Sequence, residues 1–230
     1  AWDIVTGGSE SGVFLGNPSA AGIQGMNSTS FGLYAKGGSG SIVQANRPLT
    51  TTLAVGDSIG FQWGINWDSG NGDAGEKGFN LWAGDTFLVN VKHAGTDAII
   101  VAGEDSGMGY GSGAMTWVIT RTSDTTLRIT ATSRSGGIFT RDVTVSSGAP
   151  SRIEFYAQNL SPEDGDNRQP YFNDLKLYRN GSVPKSGVVY GVFDESNDTK
   201  PWVKGTASSA TQFGFGDNGA NWLGDSGKAL

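Results

Sequence analysis

The ten residues Ser58-Ile-Gly-Phe-Gln-Trp-Gly-Ile-Asn-Trp67 decide the fold class. Ile59, Phe61, Trp63, Ile65 and Trp67 recur at every second position, with Gly, Gln, Gly and Asn between them. A period of two places all five side chains on one face of an extended chain, whereas a helix would scatter them around its axis. Shorter blocks with the same alternation fall at residues 31–35, 78–83, 86–91, 98–102, 115–121, 125–133, 138–145, 151–157 and 171–178. Clusters of Gly, Asn, Asp and Ser separate them, as hairpin connections require, and Gly84-Asp85 reads as a tight turn. No long stretch keeps a helical apolar period; residues 17–21 and 162–165 have room for a single turn each. The chain is predicted to be all-β: a two-sheet antiparallel β-sandwich, or jelly roll.

Composition agrees. The chain has 37 glycines in 230 residues, no Cys, seven Trp, eleven Phe and six Tyr. That glycine share is more than double the usual value of about 7%. It has no three-residue period, which excludes collagen, and the aromatic content excludes disorder. Sixteen basic residues against 22 acidic give a net charge of −6, which argues against a nucleic-acid partner. No apolar run is long enough for a membrane-spanning helix. The start at Ala1-Trp-Asp3 and the lack of Cys lead to the expectation of a secreted or cell-surface protein. The sandwich is expected over residues 1–178. An irregular extension, 179–230, is expected to pack on it or on a neighbouring subunit.

The strings Ser11-Gly-Val-Phe-Leu-Gly16, Ser30-Phe-Gly-Leu-Tyr-Ala35, Leu53-Ala-Val-Gly-Asp57, Lys77-Gly-Phe-Asn-Leu81, Ala114-Met-Thr-Trp117 and Asp166-Asn-Arg-Gln-Pro-Tyr-Phe-Asn173 occur in this order. Together they resemble the concanavalin A-like or laminin G-like β-sandwich domains of secreted bacterial surface proteins and polysaccharide-active enzymes. The resemblance spans residues from about 11 to 178 and implies a fold and an extracellular setting rather than a ligand.

Catalytic signals are weak. Glycosidases on a sandwich need two carboxylates on one face. Glu10, Glu76, Glu104 and Glu154 have no acidic partner at two- or four-residue spacing within a strand. The one histidine, His93, lacks a nearby nucleophile and reads as structural or as a surface residue. Arg168, Gln169 and Tyr171 supply the residue types of a lyase site, but consecutive strand residues point apart. The reading is therefore a non-enzyme that binds extracellular polysaccharide. Trp63, Trp67 and Trp117 sit in apolar alternation and belong to the core. Trp82, Tyr110, Trp202 and Trp222 lie at strand ends or in polar loops and are the candidate sugar platforms.

A structural Ca²⁺ is the candidate cofactor. Asp68, Asn71 and Asp73 space oxygens like the start of a calcium loop; Asp164, Asp166 and Asp174 cluster where the last main strand begins. The alternative function is a self-assembling surface-layer, sheath or filament subunit. In it the apolar segment 188–193 adds as a strand to a second copy, making a homo-oligomer through the extension. A glycan-active hydrolase or lyase is the third reading.

Overall fold

The structure is a computed structural model that describes residues 1–36, 39–66, 75–94, 98–110, 114–146, 148–160 and 169–179. It is an all-β sandwich of two antiparallel seven-stranded sheets. In chain order the strands are β1 (Asp3–Gly7), β2 (Ser11–Gly16), β3 (Ser30–Ala35), β4 (Ile42–Pro48), β5 (Ser58–Gly64), β6 (Glu76–Ala83) and β7 (Thr86–His93). They continue as β8 (Ile99–Val101), β9 (Glu104–Asp105), β10 (Ala114–Ser123), β11 (Thr126–Thr132), β12 (Ile138–Thr144), β13 (Arg152–Gln158) and β14 (Tyr171–Tyr178). The first sheet runs β1-β4-β13-β6-β7-β8-β9 and the second β12-β11-β10-β5-β14-β3-β2. Among the described residues the one helical element is the 3₁₀ turn Pro18–Ala21, started by the Asn17 side chain accepting from the Ser19 amide.

The alternation predicted for β5 holds: Ile59, Phe61 and Trp63 are buried between the sheets, and Ile65 just beyond the strand is buried with them. Trp67 lies outside the described residues, as do the turn expected at 162–165, the segment 188–193 and all of the C-terminal extension after Arg179. The core is an aromatic contact set that joins the layers. Phe79 of β6 meets Phe61 of β5 edge-on at 4.8 Å, Trp117 of β10 at 5.3 Å and Trp63 at 5.6 Å. Phe155 of β13 lies 3.9 Å from Phe172 of β14 and 5.1 Å from Phe61. Such tilted and edge-on pairs add to area burial because ring edges are positive and ring faces negative.

β1 and β2, where the sequence shows no alternating block, are the edge strands of the two sheets. The internal strand β4 was missed because its core-facing positions are Val43, Ala45 and Arg47, only one of them a large aliphatic residue. Burial holds the Arg47 guanidinium down at about 10, and its charge lies 5.8 Å above the Trp2 ring.

Hairpins set the register. The β6–β7 turn uses Gly84 at φ 58°, which favours glycine, and a bulge between Leu81 and Trp82 displaces the last two pairs. At the far edge, Arg141 of β12 donates to the carbonyls of Val101, Glu104 and Asp105. It thereby ties the edge of the second sheet to the backbone of β8 and β9 and covers groups that an open edge would expose.

Candidate functional site

The outward face of the first sheet carries the polar chemistry of the molecule. On β13 the residues alternate: Ile153, Phe155 and Ala157 enter the core, leaving Arg152, Glu154, Tyr156 and Gln158 on the other face. Register places Glu154 between Asn46 of β4 and Asn80 of β6, and Asn80 opposite Asn90 of β7. One row along, Tyr156 lies between Gln44 and Gly78, with Lys92 beyond.

These side chains form a continuous hydrogen-bonded chain. Asn80 Nδ2 donates to Glu154 Oε1 at 2.7 Å. Asn90 Nδ2 donates to Asn80 Oδ1 at 2.7 Å and to the Tyr156 hydroxyl at 3.0 Å. Tyr156 donates to Glu76 Oε1 at 3.4 Å, which also accepts from Gln158 Nε2 at 2.9 Å. Lys92 Nζ closes the chain on Glu76 Oε2 at 2.6 Å. A network whose members satisfy one another is held in one geometry before any ligand arrives.

Burial raises the Tyr156 phenol well above its ordinary value of 10.0, and the Glu76 charge adds to the effect. The native state therefore keeps a proton that the unfolded chain releases. This contribution to stability is complete below pH 10 and is lost as pH rises beyond it toward the native value. Thermal melts above pH 10 should show wild type losing stability more steeply than Tyr156→Phe; parallel curves would refute the assignment. A phenol held protonated donates and accepts hydrogen bonds and is unsuited to the role of general base at neutral pH.

Next to this network lies an aromatic end. The Arg152 guanidinium sits 4.8 Å above the Trp82 ring, and Phe87, 47% exposed, meets it edge-on at 5.5 Å. Trp82 Nε1, Arg152 Nε and Asn46 Oδ1 are shielded from water and have no hydrogen-bond partner. All three belong to two adjoining rows of the same face. Unpaired buried polar atoms are costly, of the order of 1–3 kcal/mol each, and among the described residues others lie in the core, on Trp63 and Trp117.

Of the platform residues named from sequence, Trp82 lies on this face. Tyr110 does not join it: its ring packs on His93 at 5.4 Å, and His93 is opposite Lys77, five residues from Trp82 along β6. That separation is about 17 Å along the strand. Tyr110 instead lines a cleft of about 820 Å³ with Met108, Met115, Arg134 and Ile138. His93 is fully buried, so of its two readings the structural one stands. Gln169 and Tyr171 are buried as well, and Arg168 lies outside the described residues. Trp202, Trp222, Asp68, Asn71, Asp73, Asp164 and Asp166 also lie outside them.

Asp174 occupies a bulge in β14 at φ 56°, and its carboxylate is paired with Lys176 Nζ at 3.3 Å. Burial pushes this carboxyl above its ordinary value, while Lys176 pulls it down. Among the described residues no three acidic or histidine side chains converge as a metal centre.

Sequence reading missed Asn80, Asn90, Glu154, Tyr156 and Gln158. For Glu154, Tyr156 and Gln158 the signal is the period-two polar run 152, 154, 156, 158 alternating with Ile153, Phe155 and Ala157. Glu76 and Glu154 do share this face across strands. Glu76 is level with Gln158, four residues from Glu154, a backbone separation of about 13 Å.

No family model and no curated protein sequence matches the chain. Solved structures with partial likeness include SCP-B, a member of the eqolisin family of peptidases, in complex with the tripeptide Ala-Ile-His. It has 17% identity and a TM-score of 0.42, over 60% of this chain and 79% of that one. The alginate lyase from Klebsiella pneumoniae has 8% identity and a TM-score of 0.40, over 62% and 75%. The receptor-binding domain of botulinum neurotoxin mosaic serotype C/D has 11% identity and a TM-score of 0.43, over 78% of this chain and 43% of that one. Likeness this remote does not bear on what the chain binds.

Proposed function

We propose that this chain is a non-catalytic, extracellular polysaccharide-binding module of concanavalin A-like type, and that it holds its ligand on the outward face of the first sheet. The observation that carries the reading is the chain Glu154–Asn80–Asn90–Tyr156–Glu76–Gln158, preformed beside Trp82 and Phe87 on three neighbouring strands. Sugars present hydroxyls, which both donate and accept, and flat C–H faces. A row of amides and carboxylates beside an aromatic ring matches both. The atoms left unpaired at Trp82, Arg152 and Asn46 call for the same kind of group. Tyr156 is buried and positions the network; Asn80, Asn90, Gln158 and Trp82 are accessible enough to touch the ligand, with the nearly buried Glu154 and Asn46 in the same row as Asn80.

Affinity electrophoresis against a panel of soluble polysaccharides tests this. Trp82→Ala is expected to weaken retention about tenfold or more, equivalent to about 1.4 kcal/mol. Asn80→Ala should weaken it through loss of the bonds to Glu154 and Asn90. Retention unchanged in both variants, or no retention on any glycan, refutes the proposal.

A further inference from the structure

We infer that the preferred ligand of this face is a glycan carrying free amino groups, such as a chain of glucosamine units. The inference rests on the glycan-binding reading above and adds a charge to it.

Two carboxylates of the network differ in how they are compensated. Glu76 is neutralised by Lys92 at 2.6 Å. Glu154, 3% exposed, accepts a single hydrogen bond, from the neutral Asn80, and among the described residues no cation pairs with it. A buried carboxylate without a cation is costly, so its environment favours a positive group arriving from outside. The cation on the same strand is turned away: Arg152, two residues along, lies over Trp82.

The neighbours of Glu154 point the same way. Directly opposite it, Asn46 is 5% exposed and its Oδ1 has no partner. One strand further, Asp3 lies opposite Asn46. The row Asp3–Asn46–Glu154–Asn80 thus holds two carboxylates and a shielded acceptor without a partner, with no cation among its members; the Arg152 guanidinium belongs to the adjoining row. An ammonium group is the complement: three donors, no acceptor and one positive charge. Trp82 stands one row away, about 7 Å along the strand, so a sugar ring resting against Trp82 beside the Arg152 guanidinium would carry its amino group toward Glu154. Uronates and sulfated sugars meet like charge on this row and in the net charge of −6.

The test is calorimetric titration of the full 230-residue chain with four oligomers: glucosamine hexamer, N-acetylglucosamine hexamer, cellohexaose and oligogalacturonate. The glucosamine hexamer should bind at least tenfold more tightly than the neutral hexamers. Its advantage should vanish as pH rises through the titration of the amine, and Glu154→Gln should bring the ratio close to one. The pH profile of wild type decides the question if Glu154→Gln fails to fold. Neutral hexamers binding as tightly as the amine, or the uronate binding best, overturns this inference and leaves the glycan site standing. An amine preference that survives in folded Glu154→Gln also overturns it. Failure of all four oligomers, and of the wider polysaccharide panel, removes both.

Discussion

Phe79→Ala is expected to lower the free energy of unfolding by about 3–5 kcal/mol, the upper range for emptying a core site. Phe79 is fully buried and touches rings from both layers: Phe155 beside it in the first sheet, and Phe61, Trp63 and Trp117 in the second. Those partners are themselves large and held by their own strands, so the cavity has little means of collapsing. Phe79 also lies between Gly78 and Asn80 on β6, with its side chain on the opposite face from the polar network. The variant should therefore melt at a lower temperature yet retain glycan affinity wherever it is still folded. Denaturant unfolding measures the first effect and titration of the folded protein the second. A cost below about 1 kcal/mol would mean that the two layers do not meet through this ring.

Gly78→Ala should be comparably damaging for a different reason. A Cβ at Gly78 would stand 2.1 Å from the Val91 carbonyl oxygen and 3.0 Å from Lys92 Cα, both backbone atoms of β7. Backbone in the middle of a paired strand has no cheap way to give, so β6 and β7 must part. Overpacking of this kind costs about 1–3 kcal/mol and sometimes more. Across this seam run the Asn80–Asn90 bond and the Lys92–Glu76 ion pair, one on each side of Gly78. Unlike Phe79→Ala, this substitution is expected to reduce stability and ligand affinity together. Loss of stability with affinity intact would detach the network from binding.

The contrast between these two sites shows what could be read in advance. The core was legible because β5 and β10 carry large apolar residues at strict alternation, and burial follows the pattern for Ile59, Phe61, Trp63, Trp117 and Ile119. Where alternation carried little apolar bulk it failed: β4 enters the core with an alanine and an arginine, and β1 is an exposed edge. The polar face was half legible. Arg152, Glu154, Tyr156 and Gln158 share a face by spacing alone, but what they meet depends on pairing with distant segments. Asn80 is 74 positions from Glu154, and Glu76 is 82 from Gln158. Sheet register creates those neighbours, and nothing in the local sequence records it. The same limit explains Trp82. Its place at a strand end was readable, but the guanidinium above its ring comes from a strand on the far side of the sandwich sequence.

The central claim is that the outward face of the first sheet is where the ligand sits. The most direct measurement is a ¹⁵N chemical-shift titration of the whole chain with glucosamine hexamer. It should follow the Trp82 indole N–H and the side-chain amides of Asn80, Asn90 and Gln158. The account expects these signals to move together and saturably, with the outward threonines of the second sheet, such as Thr130 and Thr140, unmoved. Shifts confined to those threonines, or to the cleft around Met108 and Ile138, with the Trp82 and Asn80 signals still, would contradict it.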